Sequence, residues 1–502
     1  MSEQANRILS IRRTSDLLKE YDADVRLIVF VRSVLLVLAG NLLFACVAQS
    51  ADEVRPIELH PENPHYFLWR GKPTVLITSA EHYGAVLNRA FDYKKYLKTL
   101  QSYGFNLTRT FSGAYCEPAG AFKIKNNTLA PAKGQLICPW ARSQVPGYPN
   151  GGNKFDLTKW DPAYFNRLCN FVVEAGRRGI VVEVVMFCPF YDDSMWKLSP
   201  MNAVNNINGI GKLPRYDVYT LKDKKLTAVQ DAMVRRIVQK LKDFDNVYYE
   251  ICNEPYERSG QSEAWQTRIA EMIVKVEKRY PFKHLIAQNL PWRAQNLPKD
   301  VKNKVMPNPH VSVLNFHGAS PPNPVALYYG LNKVIAYDET GRGSNKKHRT
   351  EGWDFIIAGG GVYDNLDLSF TVGHEDGTAK TNAPGGGGPV LHKQLKILKD
   401  FINSFDFIKM KPNNSVIKGK VPEKVTARAL VQAGRAYAIY INGGSEAKLL
   451  VELPQGAYRA EWVNTKTGKV DKKEKFEHSG GNRTLHSPKY VDDIALRIRK
   501  LI

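Results

Sequence analysis

From about residue 74 to 405, short runs of β-branched and apolar residues alternate with longer stretches whose apolar positions recur every three to four residues. Residues 74–79 (TVLITS) predict a first strand and 92–103 the helix that follows. A second strand is expected at 105–111, then a loop rich in Gly, Pro and Asn, then a helix at 162–178. The unbroken run 180–187 (IVVEVVMF) reads as a third strand covered on both faces. A second long loop precedes a helix over 226–244, where Val229, Met233, Ile237 and Leu241 form one stripe. Strand four is placed at 246–252 and its helix at 263–279. Strands five, six and seven fall at 284–288, 311–316 and 333–337. A helix begins at 352–358, strand eight covers 362–370, and 391–405 closes the series.

Eight such units with enlarged loops predict an α/β fold, a (β/α)8 TIM barrel. A doubly wound open sheet is the rival, but no Gly-rich phosphate turn follows the first strand. After Lys411-Pro412-Asn413-Asn414 the pattern changes to short strands, 426–431, 436–441, 448–453 and 458–464, parted by Gly, Asn and Pro turns. This predicts a small C-terminal antiparallel β-sandwich domain over 412–502, with the barrel in 51–411. Support of the barrel is its expected role, and carbohydrate binding the alternative.

Residues 1–50 read as a targeting segment. Leu27 to Val47 are mostly apolar, preceded by Arg26 and interrupted by Arg32, Ser33 and Asn41. Residues 33–47 form an h-region, and Ala48-Gln49-Ser50 is a small-x-small cleavage signal before Ala51. Arg32 leaves the apolar run too short for a comfortable membrane span. The n-region is long, and a start near Val31 or Val34 would shorten it. Secretion or export to the periplasm is therefore expected. Leu43-Phe44-Ala45-Cys46 resembles a lipoprotein box, which gives a Cys46-anchored form as the alternative.

The formal net charge is +22, and residues 1–50 hold six basic and five acidic residues, so nearly all of the excess lies in the folded part. Such a field attracts polyanions, an acidic polysaccharide among them. The chain shows no basic run interleaved with aromatics and no zinc-finger spacing, which argues against nucleic acid as partner. Of the five cysteines beyond the leader, Cys116 and Cys138 share one loop and would be able to pair in an oxidising compartment. Cys169 and Cys252 read as buried thiols, and no cysteine has metal-ligand spacing.

Active sites of such barrels cluster where the strands end. Strand one ends in Glu81-His82-Tyr83, strand two contains Arg109, and strand three runs into Cys188-Pro189-Phe190-Tyr191. Strand four ends in Asn253-Glu254-Pro255, strand six in Asn315-Phe316-His317, strand seven in Asp338-Glu339-Thr340; strand eight offers Tyr363, Asn365 and Asp367. Glycosidic cleavage needs two carboxyl groups, one protonated and one ionised, flanking the anomeric carbon. Glu254 and Glu339 stand at ends that a closed ring brings to one mouth. Glu183 and Glu250, mid-strand, read as framework charges.

The run Val247-Tyr248-Tyr249-Glu250-Ile251-Cys252-Asn253-Glu254-Pro255 resembles the strand-four signature of clan A glycoside hydrolases, the 4/7 superfamily that includes the cellulase-like family five. The resemblance implies Glu254 as acid/base, Glu339 as nucleophile, and Asn253 as the amide that bonds the sugar 2-hydroxyl. Arg109 fits the strand-two arginine that orients the nucleophile, and His317 the strand-six histidine. The similarity covers about residues 60–410 as a pattern of strand-end residues. It departs at strand eight, where Tyr363-Asp364-Asn365 replaces the tryptophan platform of family five, so cellulase specificity does not carry over. A barrel with a trailing β domain looks like bacterial cellulase-like proteins with a β-sandwich.

The expected activity is a retaining glycoside hydrolase acting on a polysaccharide or oligosaccharide, anionic ones included, with no metal or organic cofactor. Glu81 and His82 are candidates for the pocket or for closing the barrel top. Phe187, Phe190, Tyr191, Trp196, Trp140, Tyr148 and Trp160 are available to stack on sugar rings, with Tyr191 and Trp196 taken as substrate-binding. His374-Glu375-Asp376-Gly377 would either reach substrate or fold its own turn. The alternatives are a catalytically silent carbohydrate-binding barrel, excluded if both glutamates face one pocket, and a polysaccharide lyase, which would need a Tyr/His or Lys base in place of facing glutamates.

Overall fold

Eight strands lie parallel in one sheet: β1 (Leu76–Ala80), β2 (Leu107–Phe111), β3 (Val181–Val185), β4 (Val247–Glu250), β5 (Ile286–Asn289), β6 (Val313–His317), β7 (Val334–Glu339) and β8 (Val362–Leu366). The hydrogen-bonded order runs β1-β8-β7-β6-β5-β4-β3-β2, every neighbour parallel. Asn106 bridges the remaining seam: its Nδ2 donates to the Val75 carbonyl and its Oδ1 accepts from Ile77 N–H, both at 2.9 Å. An apolar layer inside the ring takes Leu76, Leu107, Val181, Tyr248, Ala287, Val313, Val334 and Val362, one from each strand, and Ile57, Phe67 and Trp69 cover it from below. The barrel is thus closed and filled, with a three-stranded flap (residues 58–74) as its base. The computed structural model describes residues 55–255, 263–291, 306–318, 320–341, 343–380, 385–419 and 421–501. The expected leader and the Cys46 alternative lie outside the described residues. Among the described residues no helix is long and apolar enough to cross a membrane.

The outer helices are α1 (Tyr93–Ser102), α2 (Pro162–Arg177), α3 (Lys224–Leu241), α4 (Glu263–Glu277), α5 (Asn323–Tyr328), α6 (Asn345–Ile357) and α7 (Pro389–Asn403). Asp92, Asp161 and Asp223 begin three of them by accepting from the first free backbone N–H groups, a cap worth about 1 kcal/mol each. The loop after β2 holds an antiparallel pair, Trp140–Pro146 with Asn153–Trp160, where only irregular chain was expected. Cys116 and Cys138 are free buried thiols, each turned to its own acceptor: Cys116 to the Leu198 carbonyl and Cys138 to that of Trp140. The pairing considered from sequence is not made.

Beyond Lys411 two antiparallel sheets face each other. The larger is ordered Lys411–Pro412, Thr426–Gln432, Ala436–Asn442, Asp493–Lys500, Gly456–Val463, Val470–His478; the smaller is Ile417–Lys418, Lys448–Leu453, Gly481–His486. Ile439, Ile441, Trp462, Leu496 and Ile498 fill the space between with Leu449, Val451 and Leu453, forming a β-sandwich with its own core. Five of its strands come in addition to those expected: the short Lys411–Pro412 and Ile417–Lys418, and 470–478, 481–486 and 493–500. The sandwich docks on α6: Trp353 stacks on Tyr440 at 5.4 Å, Asp354 bonds Arg428 and Asn442 at 2.8 Å, and Arg349 pairs with Asp493.

Candidate active site

Above the apolar layer the interior of the barrel turns ionic. Arg109 on β2 is fully buried, its guanidinium bonded to Glu250 of β4 and lying 3.3 Å from Glu183 of β3 and 3.5 Å from Asp338 of β7. It also donates to Asn253 Oδ1 at 3.1 Å and reaches Glu339 at 3.7 Å. Tyr83 stacks on it, 4.5 Å from ring centre to guanidinium carbon, a cation–π contact. Burial pushes the Glu183 and Glu250 carboxyls above the usual range, against the pull of Arg109. Both are framework groups, as expected from sequence. Arg109 itself does not line the cavity, so it acts on the site from behind.

Glu254 and Glu339 stand over this layer, at the ends of β4 and β7, and both line one cavity of about 260 Å3. His317 at the end of β6 lies between them, its Nδ1 3.4 Å from Glu254 Oε1 and 3.6 Å from Glu339 Oε2, its Nε2 3.4 Å from Asp338. One oxygen of Glu254, one of Glu339 and a nitrogen of His317 all lie within 4.8 Å of one another. Burial disfavours charge on His317, yet Glu339 and Asp338 outweigh it and hold the ring well above its ordinary value. His317 also shares a second donor triad with Glu250 and Asp338. As an imidazolium it serves both triads as a cation between carboxylates. Burial raises the Glu339 carboxyl, Glu254 adds to this, and His317, Arg109 and His82 oppose it.

Glu254 is held from the other side by Tyr191, whose hydroxyl donates to Oε2 at 2.5 Å and accepts from Asn253 Nδ2 at 3.1 Å. Asn253 is therefore clamped between Arg109 and Tyr191. Glu254 takes a left-handed backbone, φ 42°, and the following Pro255 bars it from the right-handed helical region. Tyr83 (φ 65°) and Phe122 (φ 52°) line the same cavity with the same unusual backbone. Such conformations cost about 1–3 kcal/mol each and persist where surrounding packing dictates them.

His82 lines the cavity with Nε2 3.5 Å from Glu117, and neither ring nitrogen makes a hydrogen bond among the described residues. Burial opposes its charge, but Glu117, Glu339 and Glu81 shift its ionisation upward. Glu81 does not reach the cavity. It is fully buried, accepts from Thr128 Oγ1 at 2.5 Å and Ala85 N–H at 3.0 Å, and burial raises its carboxyl to about 7. It ties the turn after β1 to the loop after β2, where Gly84 lies so close to the Thr128 backbone that a Cβ would meet it at 2.2 Å.

Trp196 corrects the sequence reading. It is buried, packs on Phe190 at 4.9 Å, donates its indole N–H to the Leu213 carbonyl, and does not line the cavity. Phe187, Phe190, Trp140 and Tyr148 are buried loop packing as well, and Trp160, half-buried, packs edge-on against Phe165; of the seven, Tyr191 lines the cavity. Glu375 folds its own turn, accepting from Gly373 N–H and Asp92 N–H. Lining residues that the sequence did not single out include Tyr83, Phe111, Glu117, Phe122, Ile124, Leu366 and Leu368, and Asp338 lies beneath the cavity. Strict strand alternation would separate Asp338 from Glu339; a register shift at the end of β7 instead turns both inward, where both meet Arg109.

Among protein families, the one described as cellulase, glycosyl hydrolase family 5, matches residues 71–321, half of the chain. A solved structure titled glycoside hydrolase is 15% identical, covers 89% of this chain and 97% of its own, and superposes with a TM-score of 0.57. A glycoside hydrolase family 5 structure from Bacteroides vulgatus ATCC 8482 is 14% identical, covers 89% and 93%, and has a TM-score of 0.59. At these identities the likeness shows the shared fold. No curated protein sequence matches the chain.

Proposed function

The chain belongs to the cellulase family, glycosyl hydrolase family 5, and is a glycoside hydrolase; from that premise we propose that it cleaves a polysaccharide or oligosaccharide with retention of configuration, outside the cytoplasm, using Glu339 as nucleophile and Glu254 as acid/base. The observation that carries the reading is the approach of the two carboxylates, an oxygen of each within 4.8 Å across one cavity. Retaining enzymes hold their carboxyl groups about 5–5.5 Å apart, whereas inverting ones leave about 6.5–9.5 Å for a water molecule. A silent binding barrel has no use for so close a pair, and a lyase base would stand in place of one of them.

The division of roles follows from the neighbours. Glu339 has two cations against its Oε2, Arg109 and His317, which favour an ionised, attacking oxygen. Glu254 has Tyr191 and the shared His317, in a place where a proton is given and taken back. In the first step a Glu339 oxygen bonds to the anomeric carbon while the glycosidic bond breaks, and the leaving oxygen takes the Glu254 proton. In the second, water attacks the same carbon, Glu254 accepts its proton, and the ester bond to Glu339 breaks. Asn253, fixed by Arg109 and Tyr191, is placed for the sugar 2-hydroxyl.

The test is stereochemical rescue. Glu339→Gly is expected to lose several orders of magnitude in turnover, and azide should return part of it as a glycosyl azide of inverted configuration. Glu254→Ala should still be glycosylated by substrates with good leaving groups, and azide should then give the retained product. Near-normal turnover of both variants on a natural glycan would remove both residues from the chemistry.

A further inference from the structure

The cavity has a closed end. The loop after β2 and the loop after β8 meet across the barrel mouth: Ile124 packs against Leu368, with Leu366 beside them, and Val372 N–H donates to the Asn126 carbonyl at 3.2 Å. Ile124 is 3% exposed and Leu368 1%, so this is a packed wall. The loop after β8 is fastened in turn by Glu375, which accepts from Asp92 N–H at the start of α1. Ile124, Leu366 and Leu368 all face the cavity, beside Phe122 at its rim. The backbone of the β2 loop bends sharply there, with Phe122, Lys123 and Asn126 all at positive φ.

The wall stands on the sugar-binding side. The anomeric carbon must sit against Glu339, and the leaving group departs past Glu254, so the retained sugar occupies the rest of the cavity. Those remaining lining residues come from the ends of β1, β2 and β8 in the main, where the wall is. A chain extending further in that direction would run into Ile124 and Leu368. At about 260 Å3 the cavity also falls just below the span of about 300–1,000 Å3 usual for ligand pockets. Its charged lining is Glu117, Glu254, Glu339 and His82, with no Lys or Arg among the described residues. A sugar carrying a carboxylate or sulfate would meet three carboxyl groups there, while hydroxyls would meet the His82 ring, whose Nε2 faces Glu117 at 3.5 Å, and the Glu117 carboxylate beside it.

We propose that the enzyme is exo-acting and removes one neutral sugar residue at a time from a chain end, with His82 and Glu117 reading the hydroxyls of that terminal sugar. This rests on the double-displacement reading of the same site. The probes are 4-nitrophenyl glycosides of neutral sugars and uronic acids, together with gluco-, manno- and galacto-oligosaccharides labelled at the reducing end with 2-aminobenzamide. The expected result is release of free monosaccharide, with labelled ladders shortening by one unit at a time and neutral aryl glycosides preferred. Early appearance of short labelled fragments means internal cleavage and overturns exo action while leaving the glycosidase reading intact. Faster hydrolysis of the uronides overturns the neutral assignment. No hydrolysis of any probe overturns the double-displacement reading, and this proposal with it. Leu368→Ala and Ile124→Ala should open the wall, raising the yield of products longer than one sugar by at least about tenfold, the scale of a deleted side-chain block in a pocket. An unchanged product pattern in a folded variant means the wall does not set the mode of attack, and the wild-type pattern decides the matter where a variant fails to fold.

Discussion

Replacing Arg109 by Met should produce a stability defect that depends on pH in a direction the site dictates. The guanidinium neutralises Glu250, Glu183 and Asp338 inside the barrel and reaches Glu339 from beneath. Removing one partner of a buried charge set costs about 3–5 kcal/mol because the remaining charges stay buried without compensation. The stranded carboxyls escape by binding protons. Burial already raises Glu183 and Glu250, and Arg109 is the group that pulls both down. Without it their folded values rise further above those of the unfolded chain. A group raised on folding contributes its stability below the unfolded value and loses it as pH climbs through the folded value. The deficit of Arg109→Met should therefore approach about 3–5 kcal/mol at pH 8 and shrink to well under half of that at pH 5, measured by guanidinium unfolding at both pH values. The same variant strips one cation from Glu339, whose carboxyl is already raised. The acid limb of its kcat/KM profile should move to higher pH. Arg109→Lys should recover much of the stability and little of the Asn253 contact, since an ammonium lacks the fork that reaches both partners. An equal deficit at the two pH values, or an acid limb displaced to lower pH, would refute the reasoning.

Tyr191→Phe removes the hydroxyl that donates to Glu254 and accepts from Asn253. A hydrogen bond to a charged group is worth about 1.5–3 kcal/mol, so kcat/KM on an oligosaccharide should fall by about 10- to 150-fold, with a smaller loss on 4-nitrophenyl glycosides, whose leaving group needs little protonation. A loss independent of the leaving group would make Tyr191 a packing residue only. Export should leave an N-terminus close to Ala51 by mass spectrometry of the secreted protein; an intact Met1, or a lipid on Cys46, would sink the cleavage reading.

What could be read from the chain follows how each signal is encoded. Strand ends are encoded locally, so Glu254, Glu339, Arg109, Asn253 and His317 fell where a closed barrel gathers them. Side-chain direction in a long loop is encoded by packing partners far away, which is why Trp196 proved to face Phe190 and Leu213 while Phe122 stood in the cavity. The helix α6 starts at Asn345, seven residues earlier than its pattern suggests. It lies between barrel and sandwich, so the polar His348, Arg349 and Asp354 are buried along with Trp353 and Phe355, and burial no longer follows the polar pattern that marks the period. The strand Val470–His478 (VDKKEKFEH) looks like solvated loop, yet it is the outermost strand of the larger sheet, where lysines discourage pairing with other chains. Asp493–Lys500 was legible in principle: Ile494, Leu496 and Ile498 alternate with Ala495, Arg497 and Arg499, a two-residue period next to the end of the chain.

The interior of the barrel divides its labour by height. The lower layer, from Leu76 round to Val362, is apolar and holds the ring together under the base of Ile57, Phe67 and Trp69. One level up, the acids Glu183, Glu250, Asp338 and Glu339 face two permanent or induced cations, Arg109 and His317. Burial raises Glu183, Glu250 and Glu339 above all, neighbouring acids add to it, and Arg109 opposes it at each. Such a layer stabilises the fold poorly compared with apolar packing of the same volume. Its value lies in chemistry: a nucleophile beside two cations, an acid beside a hydroxyl, and no freedom for either to turn away. The strained backbone at Glu254 and the buried His82 ring beside Glu117 belong to the same bargain, tolerated because the apolar layer and the docked sandwich keep the barrel from relaxing.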